Sequence, residues 1–236
     1  MNTILFDLDG TLLPLEEKKF IDTYFNEMYK TFEDIIEKDL LVKYVWEATN
    51  VMRGNIEKSK TNMEIFMSKF EELIGEDFDE YKNRFDGFYD TGFLAVEKSV
   101  SKNDYVIKSV NLLKEKGYTV VLATNPLFPL KAIKHRINWA GLKKEDFHHI
   151  TSYENSHYCK PSLNYYEEIL YTIDKKPKEC IMIGNDVQED LVAGDLGLET
   201  FLIENHIINR NDDEIKCTYR GKYEDLYDFV NNLPNL

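Results

Sequence analysis

The chain has 236 residues, with 43 acidic side chains against 29 basic ones and a net charge of −14. That balance excludes the broad basic footprint of a nucleic-acid-binding protein, and it would repel a phosphorylated ligand at long range. Any phosphate site must therefore bring its own cations. Three cysteines without paired spacing argue against a disulfide framework or a Cys-based zinc site. The opening Met-Asn-Thr-Ile-Leu-Phe-Asp does not resemble a signal peptide, and no apolar run approaches the roughly 18 residues needed to span a bilayer. The expectation is a soluble cytoplasmic protein with no membrane partner.

Along the chain, short apolar runs bounded by Gly, Asp, Asn or Pro predict five strands. They are Thr3–Phe6, Thr119–Ala123, His149–Thr151, Cys180–Ile183 and Thr200–Ile203. Between residues 18 and 93 no strand is expected. Phe20, Tyr24 and Met28, then Phe32, Ile35 and Ile36, lie at helical spacing. So do Leu41, Val45 and Ala48, and Ile65, Phe66, Phe70 and Leu73, with Gly75 and Gly87 as punctuation. Beyond residue 104, helical stripes alternate with strands: Val106, Val110 and Leu113; Tyr165, Ile169 and Tyr171; Leu191 to Leu196. A closing amphipathic helix is read at Tyr223 to Val230. This pattern predicts an α/β fold, a Rossmann-like doubly wound parallel sheet with an all-helical domain inserted after the first strand. The core takes 1–13 and 96–236, and the insert 14–95.

Four strand ends carry chemistry, and in such sheets ligands bind at the carboxyl ends of the strands. The first runs into Asp7-Leu8-Asp9-Gly10-Thr11, two carboxylates that a hard divalent cation would neutralise. The second ends at Thr124-Asn125, where a hydroxyl and a backbone N–H can donate to phosphate oxygens. Lys160, after the third, supplies a local cation. The fourth opens an acidic loop, Gly184-Asn185-Asp186-Val187-Gln188-Glu189-Asp190. Singly, each has an ordinary explanation as a turn, a helix cap or a solvated lysine. Together and in this order they place a nucleophile, an acid/base, a metal cluster and phosphate-binding groups in one crevice.

As an ordered set these motifs resemble those of the haloacid dehalogenase superfamily of phosphohydrolases, over residues 1–13 and roughly 96–204, and the insert is similar to that family's small helical cap. The resemblance implies a Mg²⁺-dependent phosphatase for a small phosphorylated metabolite. In it Asp7 is the nucleophile and Asp9 the general acid/base, and Thr124, Asn125 and Lys160 hold the phosphoryl group. The metal sits on Asp7, the carbonyl of Asp9 and an acid of the fourth loop. That loop departs from the family's usual Gly-Asp by reading Gly184-Asn185-Asp186, so Asn185 or Asp186 is the ligand; Asp186 is favoured because a carboxylate binds Mg²⁺ better than an amide. Asp190 is expected behind them, orienting a metal-bound water or Lys160. A phosphomutase of the same superfamily is the nearest alternative, and an aspartate-phosphorylated regulatory module the alternative from another class. Arg53, in the most basic short run of the insert, reads first as an ordinary solvated cation and second as a side chain reaching toward the non-phosphate part of the substrate.

Overall fold

The computed structural model describes residues 1–236, the side chain of Glu76 excepted. Six parallel strands form one sheet: β1 (Thr3–Phe6), β2 (Thr119–Leu122), β3 (His149–Ile150), β4 (Cys180–Gly184), β5 (Glu199–Ile203) and β6 (Tyr219–Gly221). Their spatial order is β3-β2-β1-β4-β5-β6, so β1 is central and the order reverses beside it. The strands are apolar throughout because both faces are covered. Ile4 and Phe6, with Val120, Leu122, Ile181 and Ile183, face one layer; Leu5, Val121, Cys180 and Met182 face the other.

The first layer is built from α5 (Asp104–Glu115), α6 (Leu130–Trp139) and α8 (Tyr223–Asn232). The second is α7 (Leu163–Thr172) with the 3-10 segment Leu191–Leu196. That segment carries the stripe expected to be α-helical, but it is only six residues long and stops at Gly197. Within the sheet and its covering layers, two labelled elements escape the sequence reading. β6 is a three-residue, largely exposed edge strand with no apolar run to announce it. α6 hides its apolar face among Lys131, Lys134, His135 and Arg136.

The insert after β1 contains α1 (Glu17–Tyr29), α2 (Lys38–Arg53), α3 (Asn62–Ile74) and α4 (Phe78–Asp90). Thr61 and Glu64 form a capping box at the start of α3, worth about 1 kcal/mol. Phe32, Phe70, Tyr81 and Phe85 pack ring against ring at the insert's centre. Gly87, read as punctuation, lies inside α4, and the 32–36 stretch forms turns between α1 and α2. The insert and the sheet share one continuous apolar cluster, in which Phe128 and Phe93 touch Tyr24. No helix of the described residues is long and apolar enough to cross a membrane.

Candidate active site

Residue pairing across the sheet explains why the acidic motifs meet. Phe6 lies beside Leu122 on β2 and beside Ile183 on β4, and the Asp7 N–H donates to the Ile183 carbonyl at 2.9 Å. Asp7, Thr124 and the 184–190 loop thus leave three adjacent strands at the same edge. A cavity of about 500 Å³ opens there between the sheet and the helical insert. Asp7, Asp9, Thr124, Asn125, Asp186 and Asp190 all line it.

Lys160 sits beneath these groups, only 1% exposed, and its Nζ donates to Asp7 Oδ1 at 2.9 Å and to Asp190 Oδ1 at 2.6 Å. Burial is the largest influence on both carboxyls: it pushes Asp7 up to about 6 and Asp190 up to about 7, against the opposing Lys160 charge. Burial pulls the Lys160 ammonium down, but Asp190 and Asp7 outweigh it and hold it well above the ordinary lysine range. Asp190, expected to orient a metal-bound water or Lys160, is in direct contact with Lys160.

Thr124 and Asn125 take different parts. The Thr124 hydroxyl has no hydrogen bond among the described residues, while the Thr124 carbonyl accepts from Thr151 and Tyr165. The side chain of Asn125 is already engaged, donating to Glu189 Oε2 at 2.8 Å and accepting from the Lys160 N–H at 3.2 Å. Its backbone N–H makes no hydrogen bond among the described residues.

The 184–190 loop separates its two candidate ligands. Asn185 Oδ1 accepts from the Thr11 hydroxyl at 2.9 Å, and its Nδ2 donates to the His206 carbonyl at 2.7 Å. The amide thus staples the loop after β1 to the loop after β5. It lies so close under Gly10, whose φ is +82°, that a side chain there would overlap it. Asp186 Oδ1 accepts from the N–H groups of Gln188 and Glu189, and its Oδ2 is paired with Arg210. Gly184 is needed for a different reason: a Cβ would overlap the Asp190 carboxyl and stand 2.6 Å from its Cβ. Gly184→Ala is expected to displace Asp190 and to destabilise the protein by about 1–3 kcal/mol, read by urea denaturation. Unchanged stability would mean that the loop yields freely.

Two side chains that no sequence motif pointed to, Arg136 and Arg210, join the site, and Glu189 of the acidic loop gains a partner. Arg136 of α6 reaches Asp9, Arg210 reaches Asp186, and Glu189 reaches Arg53. Arg53 closes α2 and donates from Nη2 to Glu189 Oε1 at 2.9 Å, so it ties the insert to the acidic loop while lining the cavity.

The model of the haloacid dehalogenase-like hydrolase family matches residues 1–195. The chain belongs to that family. Among curated relatives, Pyrophosphatase PpaX of Bacillus cereus (strain ATCC 10987 / NRS 248) is 22% identical over 194 residues, covering 82% of this chain and 78% of the relative. Among solved structures, the HAD phosphatase of Thermococcus onnurineus superposes with a TM-score of 0.62 at 18% identity, each chain covered in full. The HAD-hydrolase YfnB of Bacillus subtilis, bound to magnesium, superposes with a TM-score of 0.59 at 22% identity and 98% coverage of both chains. The doubly wound core with its helical insert is thus the fold of this family.

Proposed function

We propose that this enzyme is a Mg²⁺-dependent phosphatase that cleaves a small phosphorylated metabolite through an aspartyl-phosphate on Asp7. The observation that carries this reading is the buried Asp7–Lys160–Asp190 chain beside Thr124, which lines the same cavity and whose hydroxyl has no hydrogen bond among the described residues. In the first half-reaction Asp7 attacks phosphorus, the bond from phosphorus to the leaving oxygen breaks, and Asp9 gives that oxygen its proton. In the second, the Asp9 carboxylate takes a proton from water. The water oxygen attacks phosphorus, the bond to Asp7 breaks, and inorganic phosphate leaves. Lys160, the Thr124 hydroxyl and the Asn125 N–H hold the phosphoryl oxygens throughout.

Charge at the strand ends supports the metal. Five carboxyls (Asp7, Asp9, Asp186, Glu189 and Asp190) face four cations (Lys160, Arg136, Arg210 and Arg53), each already paired with at least one of them, Lys160 with two. With Asp9 carrying its proton as the acid, the other four carboxylates balance these cations, and a phosphate dianion finds no surplus positive charge. Two carboxylates and a carbonyl suit Mg²⁺, which keeps several waters of its own. Asp7, Asp186 and the carbonyl of Asp9 would hold it, and when bound it would neutralise charge on the phosphoryl oxygens. Asp186→Ala is expected to weaken Mg²⁺ binding roughly 10- to 100-fold by calorimetry. Asn185→Ala should chiefly cost stability, about 1–2 kcal/mol, through its lost hydrogen bonds to Thr11 and His206. Loss of metal in Asn185→Ala alone would reverse the assignment.

The cavity also bears on the substrate. Phe20, Tyr24, Phe25, Trp46 and Phe66 line it on the insert side, a wall more apolar than inorganic pyrophosphate needs. A monoester with an apolar organic part fits it better. Residues 14–95 are read as a cap closing over this part. Its two connections run side by side, with Leu15 bridged antiparallel to Val100 and the Ser101 N–H donating to the Pro14 carbonyl. The test is phosphate release from a panel of phosphorylated metabolites and pyrophosphate with Mg²⁺, with Asp7→Asn as the blank. Turnover of none of them would defeat the reading.

A further inference from the structure

Arg136 is wholly buried, 0% exposed, on a face of α6 that otherwise presents Ala132, Ile133, Ile137 and Ala140 to the core. Its guanidinium lies over the Phe128 ring, 4.3 Å from the centroid, and Nη1 donates to Asp9 Oδ2. Its Nε and Nη2 are buried and have no partner among the described residues. As a stabilising device this is a poor choice. A buried guanidinium with two unused donors carries a desolvation cost that a Leu or Met at the same place would avoid. Cation–π contact with Phe128 offsets only part of that cost. What the arginine does supply is a fixed direction for one carboxyl oxygen of Asp9, gripped from a helix that is itself rigidly packed. Oδ1 of Asp9 is itself buried and without a partner among the described residues, so the Arg136 contact is what fixes the orientation of this carboxyl.

We infer that Arg136 is a positioning residue that aims Asp9 at the leaving oxygen of the substrate. The inference rests on the reading of Asp9 as general acid. It predicts a dependence on the leaving group, because an aryl oxide that leaves readily needs little help from an acid, whereas a basic one needs much.

The test compares kcat/KM for p-nitrophenyl phosphate and phenyl phosphate, two esters of similar shape and different leaving-group basicity, in wild type, Arg136→Met, Arg136→Lys and Asp9→Asn. kcat/KM reports the step in which the leaving oxygen departs, so the later attack of water does not mask the effect. Arg136→Met is expected to lose about 10- to 100-fold on phenyl phosphate but less than about threefold on p-nitrophenyl phosphate. Asp9→Asn should show the same selectivity more strongly, and Arg136→Lys should recover part of the loss. Circular dichroism establishes that each variant is folded; if Arg136→Met is not, the selectivity of Arg136→Lys against wild type decides. Equal losses on both esters, no loss, or a gain would overturn the inference while leaving the phosphatase reading intact. A wild-type protein inert toward both esters and the metabolite panel would overturn the phosphatase reading and this inference with it.

Discussion

Asp7→Asn is expected to reduce phosphate release by about 10⁴-fold or more while leaving the protein folded. The amide has nearly the shape of the carboxylate, and its oxygen can still accept from Lys160 Nζ, which keeps its second partner in Asp190. It lacks the charge to attack phosphorus, and it offers a weaker metal ligand. Stability should change little by comparison, within about 2 kcal/mol, because removing a buried charge offsets the weakened ion pair. Single-turnover phosphate release and urea denaturation of the same preparation separate the two effects. Turnover within tenfold of wild type would mean that water attacks phosphorus directly and that Asp7 only binds.

Lys160→Met should have the second-largest effect, and it should fall on stability as well as on rate. The side chain is buried between two carboxylates, and methionine would leave both without their shared cation. Breaking a buried pair by removing one partner costs about 3–5 kcal/mol, which in a chain of this length lowers the melting temperature by roughly 10 °C. Activity should fall together with stability, since a phosphoryl ligand is lost. The double variant Lys160→Met/Asp190→Asn distinguishes the causes. Removing one of the stranded charges should restore a substantial part of the stability and none of the activity. A double variant as unstable as Lys160→Met alone would show that packing around the lysine stem, rather than charge, holds this region together.

These two residues were legible before any coordinates because of where they stand in the chain. Asp7 directly follows a four-residue apolar strand, and Lys160 stands at the site end of the crossover that leaves β3. In a parallel sheet, strand ends converge on one edge whatever the loops between them do. The same logic found Thr124 and the 184–190 loop, and the helical spacing of the aromatics found the insert. It failed for β6, whose exposed edge position demands no apolar run, and for α6, whose buried face is interrupted by a charge.

What the sequence by itself determined, then, was the order of elements and the chemical inventory at the strand ends, because both follow from local periodicity and from the direction of the chain. The tertiary structure alone decided how those groups are partnered. Asn185 became a staple between loops because Gly10 lets it approach Thr11. Arg53 and Glu189 met across 136 positions of sequence, and Arg136 and Asp9 across 127. An arginine among lysines on a helix reads as a solvated surface residue. It becomes a buried partner of Asp9 only when α6 packs beside the end of β1, and no local pattern encodes that packing.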